Sequence, residues 1–146
     1  MTSLEKTLFI TANALVGGTG VVYGWMRYFV RSDDPYSVVN HPAQPLWQHL
    51  HIWLAPLLVL AFGHFFYQHA LLYWKAQVQP GRRSGLLMLA LALPMIFSGY
   101  LLQTAVDEIW RQAWIVVHVA TSLIWLVGVA VHLLTHYSTR RVLLEG

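Results

Sequence analysis

The sequence predicts an all-α integral membrane protein, a four-helix up-and-down bundle that forms a single domain over residues 1–146. Composition is the first observation behind this prediction: 57% of the residues are hydrophobic and only 10% are charged, whereas soluble domains carry about 25% charged residues. The second observation is a set of four apolar stretches, each long enough to cross a hydrocarbon core, which takes ~20 helical residues. Helices are predicted because four spans cannot close a β-barrel.

The apolar stretches cover residues 8–30, 46–74, 86–106 and 112–137. Pro45 suits the start of the second helix, and Pro80 follows its end. Pro56 and Pro94 lie inside stretches, where kinks are expected. The first stretch is too long for the apolar part of a signal peptide, and no small-residue cleavage site follows Val30, so we expect it to remain in the mature protein.

The placement of basic residues predicts the orientation. The N-terminus, the second loop and the C-terminus carry six of them: Lys6, Lys75, Arg82, Arg83, Arg140 and Arg141. The first and third loops carry three: Arg27, Arg31 and Arg111. Because basic residues are retained on the cytoplasmic side, both termini are expected in the cytoplasm. The second and fourth helices then run in the same direction.

Residues that the chain lacks exclude several classes of function. It has no cysteine, which removes disulfides, iron–sulfur clusters, thiolate metal sites and covalently attached c-type haem. Its basic residues are scattered singly or in pairs, whereas nucleic-acid-binding domains group them on one face. Hydrolytic chemistry is not expected, because no nucleophile constellation, phosphate loop or paired carboxylate lies within the stretches. No internal repeat is evident.

Seven of the eight histidines fall on the second and fourth stretches. Histidine is costly at membrane depth and usually marks function there. The second stretch carries His49, His51, His64 and His69, and the fourth carries His118, His132 and His136. Because these two helices run the same way, each can offer one imidazole near each membrane face. Two b-type haems, each with two axial histidines, require this arrangement.

Helical spacing selects four of these histidines as haem ligands. His118 and His132 are 14 residues apart, about 40° short of four turns, with a rise of ~21 Å. His51 and His69 are 18 residues apart, five whole turns, with a rise of ~27 Å. We therefore predict two haem b groups. His51 and His118 bind the iron on the outer side, and His69 and His132 bind it on the inner side.

Other histidines can replace members of this set. His49 and His64 lie about 60° from one face with a rise of ~22 Å, which matches the fourth helix better. His136, four residues beyond His132, can substitute for it. His51 and His64 do not combine, because their 13-residue separation leaves the side chains about 140° apart.

Glycines accompany these histidines. Gly63 and Gly128 fall between the predicted ligands, where a bare backbone would let a flat macrocycle approach. A further group forms a stripe on the first helix, and Gly99 lies on the third. The alternative interpretation for all of them is ordinary small-residue packing between membrane helices.

These elements resemble the bacterial four-helix, dihaem b-type membrane cytochromes, which include the cytochrome subunits of membrane hydrogenases and formate dehydrogenases. The resemblance covers the four spans, the segment WIVVHVATSLIWLVGVAVHLL with its two histidines, and the segment HLHIWLAPLLVLAFGHFFYQH on the second helix. Hydrogenase-type subunits usually take a ligand from their first helix, which has no histidine here. Ligands from the second and fourth helices are similar to those of the quinol-oxidising cytochrome b.

The resemblance implies a cytochrome of the bacterial inner membrane, surrounded by lipid, that relays electrons between a quinone pool and a redox partner protein or larger respiratory complex. Such a chain is an electron-transfer subunit of an oxidoreductase rather than a stand-alone enzyme. Two alternatives stay open. One is a haem-free membrane anchor, and the other is a subunit whose histidines bind metal or relay protons, for which His132 and His136 are suitably spaced.

Overall fold

The computed structural model describes residues 2–75 and 82–145, with the side chains of residues 68–70, 73–74, 82–84 and 135–145 outside the described part. The described residues form five α-helices: α1 (Ser3–Tyr28), α2 (Gln44–Phe65), α3 (Leu72–Lys75), α4 (Arg82–Thr104) and α5 (Glu108–Glu145). A π-helical segment, Phe66–Leu71, joins α2 to the single turn α3. The all-α prediction is confirmed.

Four helical segments are long and apolar enough to cross a membrane: Ser3–Tyr28, Gln44–Phe65, Gly85–Thr104 and Glu108–Leu134. They confirm the four predicted spans and indicate a multi-pass membrane protein. The largest difference lies in the second span, which was predicted to continue to residue 74. Its regular α-helix ends at Phe65, where the π-helical segment follows.

Polar caps start two helices earlier than hydropathy alone predicts. At α1, the Thr2 N–H donates to Glu5 Oε2 at 2.8 Å and the Glu5 N–H donates to Thr2 Oγ1 at 3.3 Å, which is a capping box. At α5, Asp107 Oδ1 accepts from the N–H groups of Ile109 and Trp110 at 2.9 and 3.1 Å. Both caps satisfy backbone donors that the first helical turn leaves without a partner.

The first hairpin consists of α1 and α2, packed antiparallel. Near one end, the rings of Phe9 and Phe65 have centroids 4.5 Å apart. Near the other end, Asn40 Nδ2 donates to the carbonyl of Arg27 at 2.6 Å, which ties the connection to α1. The buried side chains of this hairpin are mainly apolar, but they include Asn13 and Thr19.

The second hairpin consists of α4 and α5, also antiparallel. Its buried side chains include Ala92, Met95 and Trp125, together with the polar residue Ser98 of α4. A Cβ built on Gly128 would lie 3.4 Å from Met88 Cγ, so the glycine lets the two helices approach closely. The two hairpins fall in separate compact units of the chain, Met1–Leu72 and Tyr73–Gly146.

Candidate functional site

The His51 imidazole of α2 lies against one turn of α1. Its Nδ1 is 3.0 Å from the carbonyl oxygen of Val16 and 3.3 Å from Thr19 Oγ1. Gly20 lies beside the ring, and a Cβ built on it would be only 2.8 Å from His51 Cε1. Real Cβ atoms essentially never show so short a contact. The ring can therefore occupy this position because residue 20 is a glycine.

The His118 imidazole of α5 lies against α4 in the same way. Its Nδ1 is 3.0 Å from the carbonyl oxygen of Met95 and 3.3 Å from Ser98 Oγ. A Cβ built on Gly99 would be 3.1 Å from His118 Cε1. Both histidines are half-buried.

The two arrangements are one half-site built twice: a carbonyl, a hydroxyl and a glycine on the first helix of a hairpin, and a histidine on the second. The matching residues of the first helices are 79 positions apart: Val16 and Met95, Thr19 and Ser98, Gly20 and Gly99. The same local contact pattern thus occurs in both hairpins, as a structural repeat. The repeat is not evident in the sequence because so few residue types are shared, and because the glycine-to-histidine spacing is 31 residues in one hairpin and 19 in the other.

These hydrogen bonds determine which ring nitrogen carries the proton. A carbonyl oxygen can only accept, so Nδ1 must be the donor in His51 and in His118. In a neutral imidazole the lone pair then belongs to Nε2. Histidines that bind metals commonly have this arrangement, with one nitrogen on the metal and the other donating to a carbonyl or similar acceptor. Both half-sites therefore fit an axial ligand of haem iron.

The glycines that contact histidine rings are Gly20 and Gly99, rather than those that lie between the predicted ligands in sequence. Gly128 faces Met88, and a Cβ at Gly63 would meet nothing within 4 Å. A Cβ at Gly18, on the glycine stripe of α1, would also meet nothing within 4 Å. The sequence signal for the half-sites is a Thr-Gly or Ser-Gly dipeptide in the middle of an apolar helix.

The rival ligands His49 and His64 have different surroundings. Both are exposed, and the His49 ring stacks on Trp53 with centroids 6.0 Å apart. His64 Nε2 is 3.1 Å from Glu5 Oε1, so the nitrogen that would bind iron faces a carboxylate. Among the described residues, neither ring has the carbonyl and hydroxyl contacts that hold His51.

The predicted inner ligands differ in how far the helix geometry supports them. Helix α5 is α-helical throughout Glu108–Glu145, so the rotation of about 40° between His118 and His132 stands. His69 instead lies within the π-helical segment, which has more residues per turn than an α-helix. The calculated five whole turns between His51 and His69 therefore do not apply. The side chains of His69 and His136 lie outside the described residues.

Within the described part of the chain, no group of three or more histidine, cysteine, aspartate or glutamate side chains could hold a metal ion. Axial ligation of haem iron is a different kind of site, because the porphyrin itself supplies the other ligands. Comparison with protein-family models, curated proteins and solved structures finds no match.

Proposed function

We propose that this chain is a b-type haem membrane cytochrome that relays electrons across the bacterial inner membrane, between a quinone pool and a redox partner protein. The observation that supports it best is the duplicated half-site. Two imidazoles, each in an apolar span, have Nδ1 bound to a carbonyl and the lone pair on Nε2. Polar groups are rare in such helices, so two identical arrangements indicate a shared purpose.

Haem b would supply the one-electron chemistry of its iron, which the protein tunes through its ligands and surroundings. In this proposal His51 and His118 would each hold the iron through Nε2. The carbonyls of Val16 and Met95 hold the proton at Nδ1, which places the lone pair of the neutral ring on Nε2. The apolar helices around them exclude water and keep the local dielectric low.

The proposed ligand set pairs His51 with His118 and His69 with His132, for two haems in a chain that acts as a subunit of a larger oxidoreductase. Exposure of His49 and the carboxylate contact of His64 favour this set over the pair His49 and His64. His136 stays the alternative to His132.

The visible spectrum of the purified protein tests the proposal. Reduced protein from haem-replete cells should show b-type bands, and a pyridine haemochrome assay should give about two haems per chain. A spectrum without a Soret band would refute the proposal. One haem per chain would still indicate a b-type cytochrome, but it would exclude the second pair of ligands. Three haems per chain would indicate that His64 or His136 is also a ligand.

A proton-handling subunit is the second candidate, because of the contact between His64 Nε2 and Glu5 Oε1 at 3.1 Å. A carboxylate and an imidazole in contact can pass a proton between them. Haem-free protein that acidifies or alkalises the lumen of proteoliposomes, and loses that activity in Glu5→Gln, would favour this candidate over the cytochrome.

A further inference from the structure

The hydroxyl groups of Thr19 and Ser98 each contact both carbonyls of their own helix and the Nδ1 of a histidine on the next helix. Thr19 Oγ1 donates to the carbonyls of Leu15 and Val16 in its own helix, at 2.8 and 3.0 Å. Ser98 Oγ donates to the equivalent carbonyls, four and three residues before it, at 2.6 and 3.1 Å. A hydroxyl has only one hydrogen, and here it points into the helix. Each oxygen therefore faces the imidazole Nδ1 as an acceptor.

We propose that Thr19 and Ser98 are positioning residues, which fix the rotation and the Nδ1-protonated form of His51 and His118 and thereby strengthen Nε2 as an iron ligand. The inference rests on the proposed function and assigns a role to two residues that act through the histidines.

The geometry explains why a hydroxyl adds to what the carbonyl already does. The Nδ1 proton of His51 lies between a carbonyl at 3.0 Å and a hydroxyl at 3.3 Å. The ring cannot rotate about its Cβ–Cγ bond without lengthening one of these contacts. The backbone at Gly20 limits how closely the ring can approach α1. Hydrogen-bond donation from Nδ1 also increases the basicity of Nε2. A more basic ligand favours ferric over ferrous iron, so it lowers the reduction potential.

Matched substitutions test the role. Thr19→Val removes the hydroxyl and keeps the β-branched shape, whereas Thr19→Ser keeps the hydroxyl and introduces the residue type of the second half-site. Ser98→Ala makes the corresponding deletion there. We expect Thr19→Val and Ser98→Ala to raise the midpoint potential, to alter the low-spin EPR signal, and to lower haem affinity about 10-fold to 100-fold. Thr19→Ser should keep the wild-type values.

Thr121→Val is the control. Thr121 Oγ1 donates to the carbonyls of Val117 and His118 at 2.7 and 3.2 Å, so this variant removes the same intrahelical hydroxyl bond from a span without removing an acceptor of Nδ1. It should keep the wild-type potential. The proposal is overturned by an equal shift in this control, by unchanged potential and EPR in both deletions, or by a Thr19→Ser protein that behaves as Thr19→Val.

Nitrogen NMR of histidine in the haem-free protein separates this inference from the proposed function. Nδ1 of His51 should carry the proton in the wild type, and this proton should exchange with solvent faster in Thr19→Val. Should the wild type bind no haem, the proposed function fails, and the NMR comparison still decides the positioning role. Equal exchange rates in the two proteins would contradict it.

Discussion

Thr19 and Ser98 are almost fully buried, with 7% and 1% of their surface exposed. Burying a hydroxyl is unfavourable unless it is hydrogen-bonded, and both residues satisfy that need with carbonyls of their own helices. A small apolar residue at either position would avoid the need altogether. The presence of a hydroxyl at both equivalent positions is therefore better explained by the imidazole that each one faces than by packing.

Alanine substitutions of three glycines test the ring positions. Gly20→Ala would place a Cβ at 2.8 Å from His51 Cε1, and Gly99→Ala would place one at 3.1 Å from His118 Cε1. We expect both to lower the haem content, Gly20→Ala the more severely, because its ring must move further. Haem per chain and the midpoint of thermal unfolding are the measurements.

Gly18→Ala provides the control for this series, because its Cβ would meet nothing within 4 Å. Alanine is favoured over glycine in a helix by about 1 kcal/mol, so this variant should keep its haem and be at least as stable as the wild type. Wild-type haem content in Gly20→Ala would show that the ring position is wrong.

Removing a ligand tests the histidines themselves. His118→Ala and His132→Ala should each remove one haem, because in the proposed cytochrome the iron would lose one of its histidine ligands. His41→Ala should leave the haem content unchanged, since His41 Nδ1 accepts a hydrogen bond from the Ala43 N–H at 3.1 Å, just before α2. The measurement is the number of haems per chain in each variant. Two doubly ligated low-spin haems in both ligand variants would refute ligation from the fourth span.

At the scale of helices, hydropathy predicted the four spans because each apolar stretch is long, but it could not place their ends. The first turn of α1 is polar and depends on the bond between Thr2 and Glu5, which a hydropathy average does not see. The π-helical segment was missed for a related reason. Residues 66–71 fall within the second predicted stretch, and nothing in the spacing of their apolar residues signals that the turn widens there.

The half-sites were only partly predictable from sequence. His51 and His118 were selected by helical spacing and by their position on apolar helices, both of which are properties of one helix. Their partners Thr19 and Ser98 were not found, because a contact between helices depends on how two helices are aligned. In each hairpin that alignment is set by packing of the buried apolar side chains, which helical periodicity does not specify.

The contact between α1 and α2 at Glu5 gives a prediction about His64. His64→Ala and Glu5→Gln should both keep the wild-type haem content, because Nε2 of His64 faces a carboxylate at 3.1 Å. Glu108→Gln is the matched control, since Glu108 is also an acidic residue in the first turn of a spanning helix. Loss of one haem in His64→Ala, with retention in both glutamate variants, would instead identify His64 as a ligand.

At the scale of the whole molecule, the four spans set the topology and the basic residues set the orientation. We expect both termini in the cytoplasm, because six of the nine basic residues flank the spans on that side. Alkaline phosphatase and green fluorescent protein fusions after Gly146 and within residues 33–45 would report the side of each. Phosphatase activity from the C-terminal fusion would show that the orientation is the reverse of the predicted one. The outer and inner haem positions would then be exchanged.

Each hairpin holds its own imidazole through a hydrogen bond made within that hairpin. Packing of the helices therefore fixes the rotamers of His51 and His118, so the loss of side-chain entropy takes place during folding. Immobilising such a side chain at the moment of binding would cost about 0.5 to 1.5 kcal/mol. In the proposed cytochrome, a haem that bound to preorganised rings would avoid that cost twice, so its affinity would depend on the stability of each hairpin as well as on the strength of the iron–nitrogen bonds.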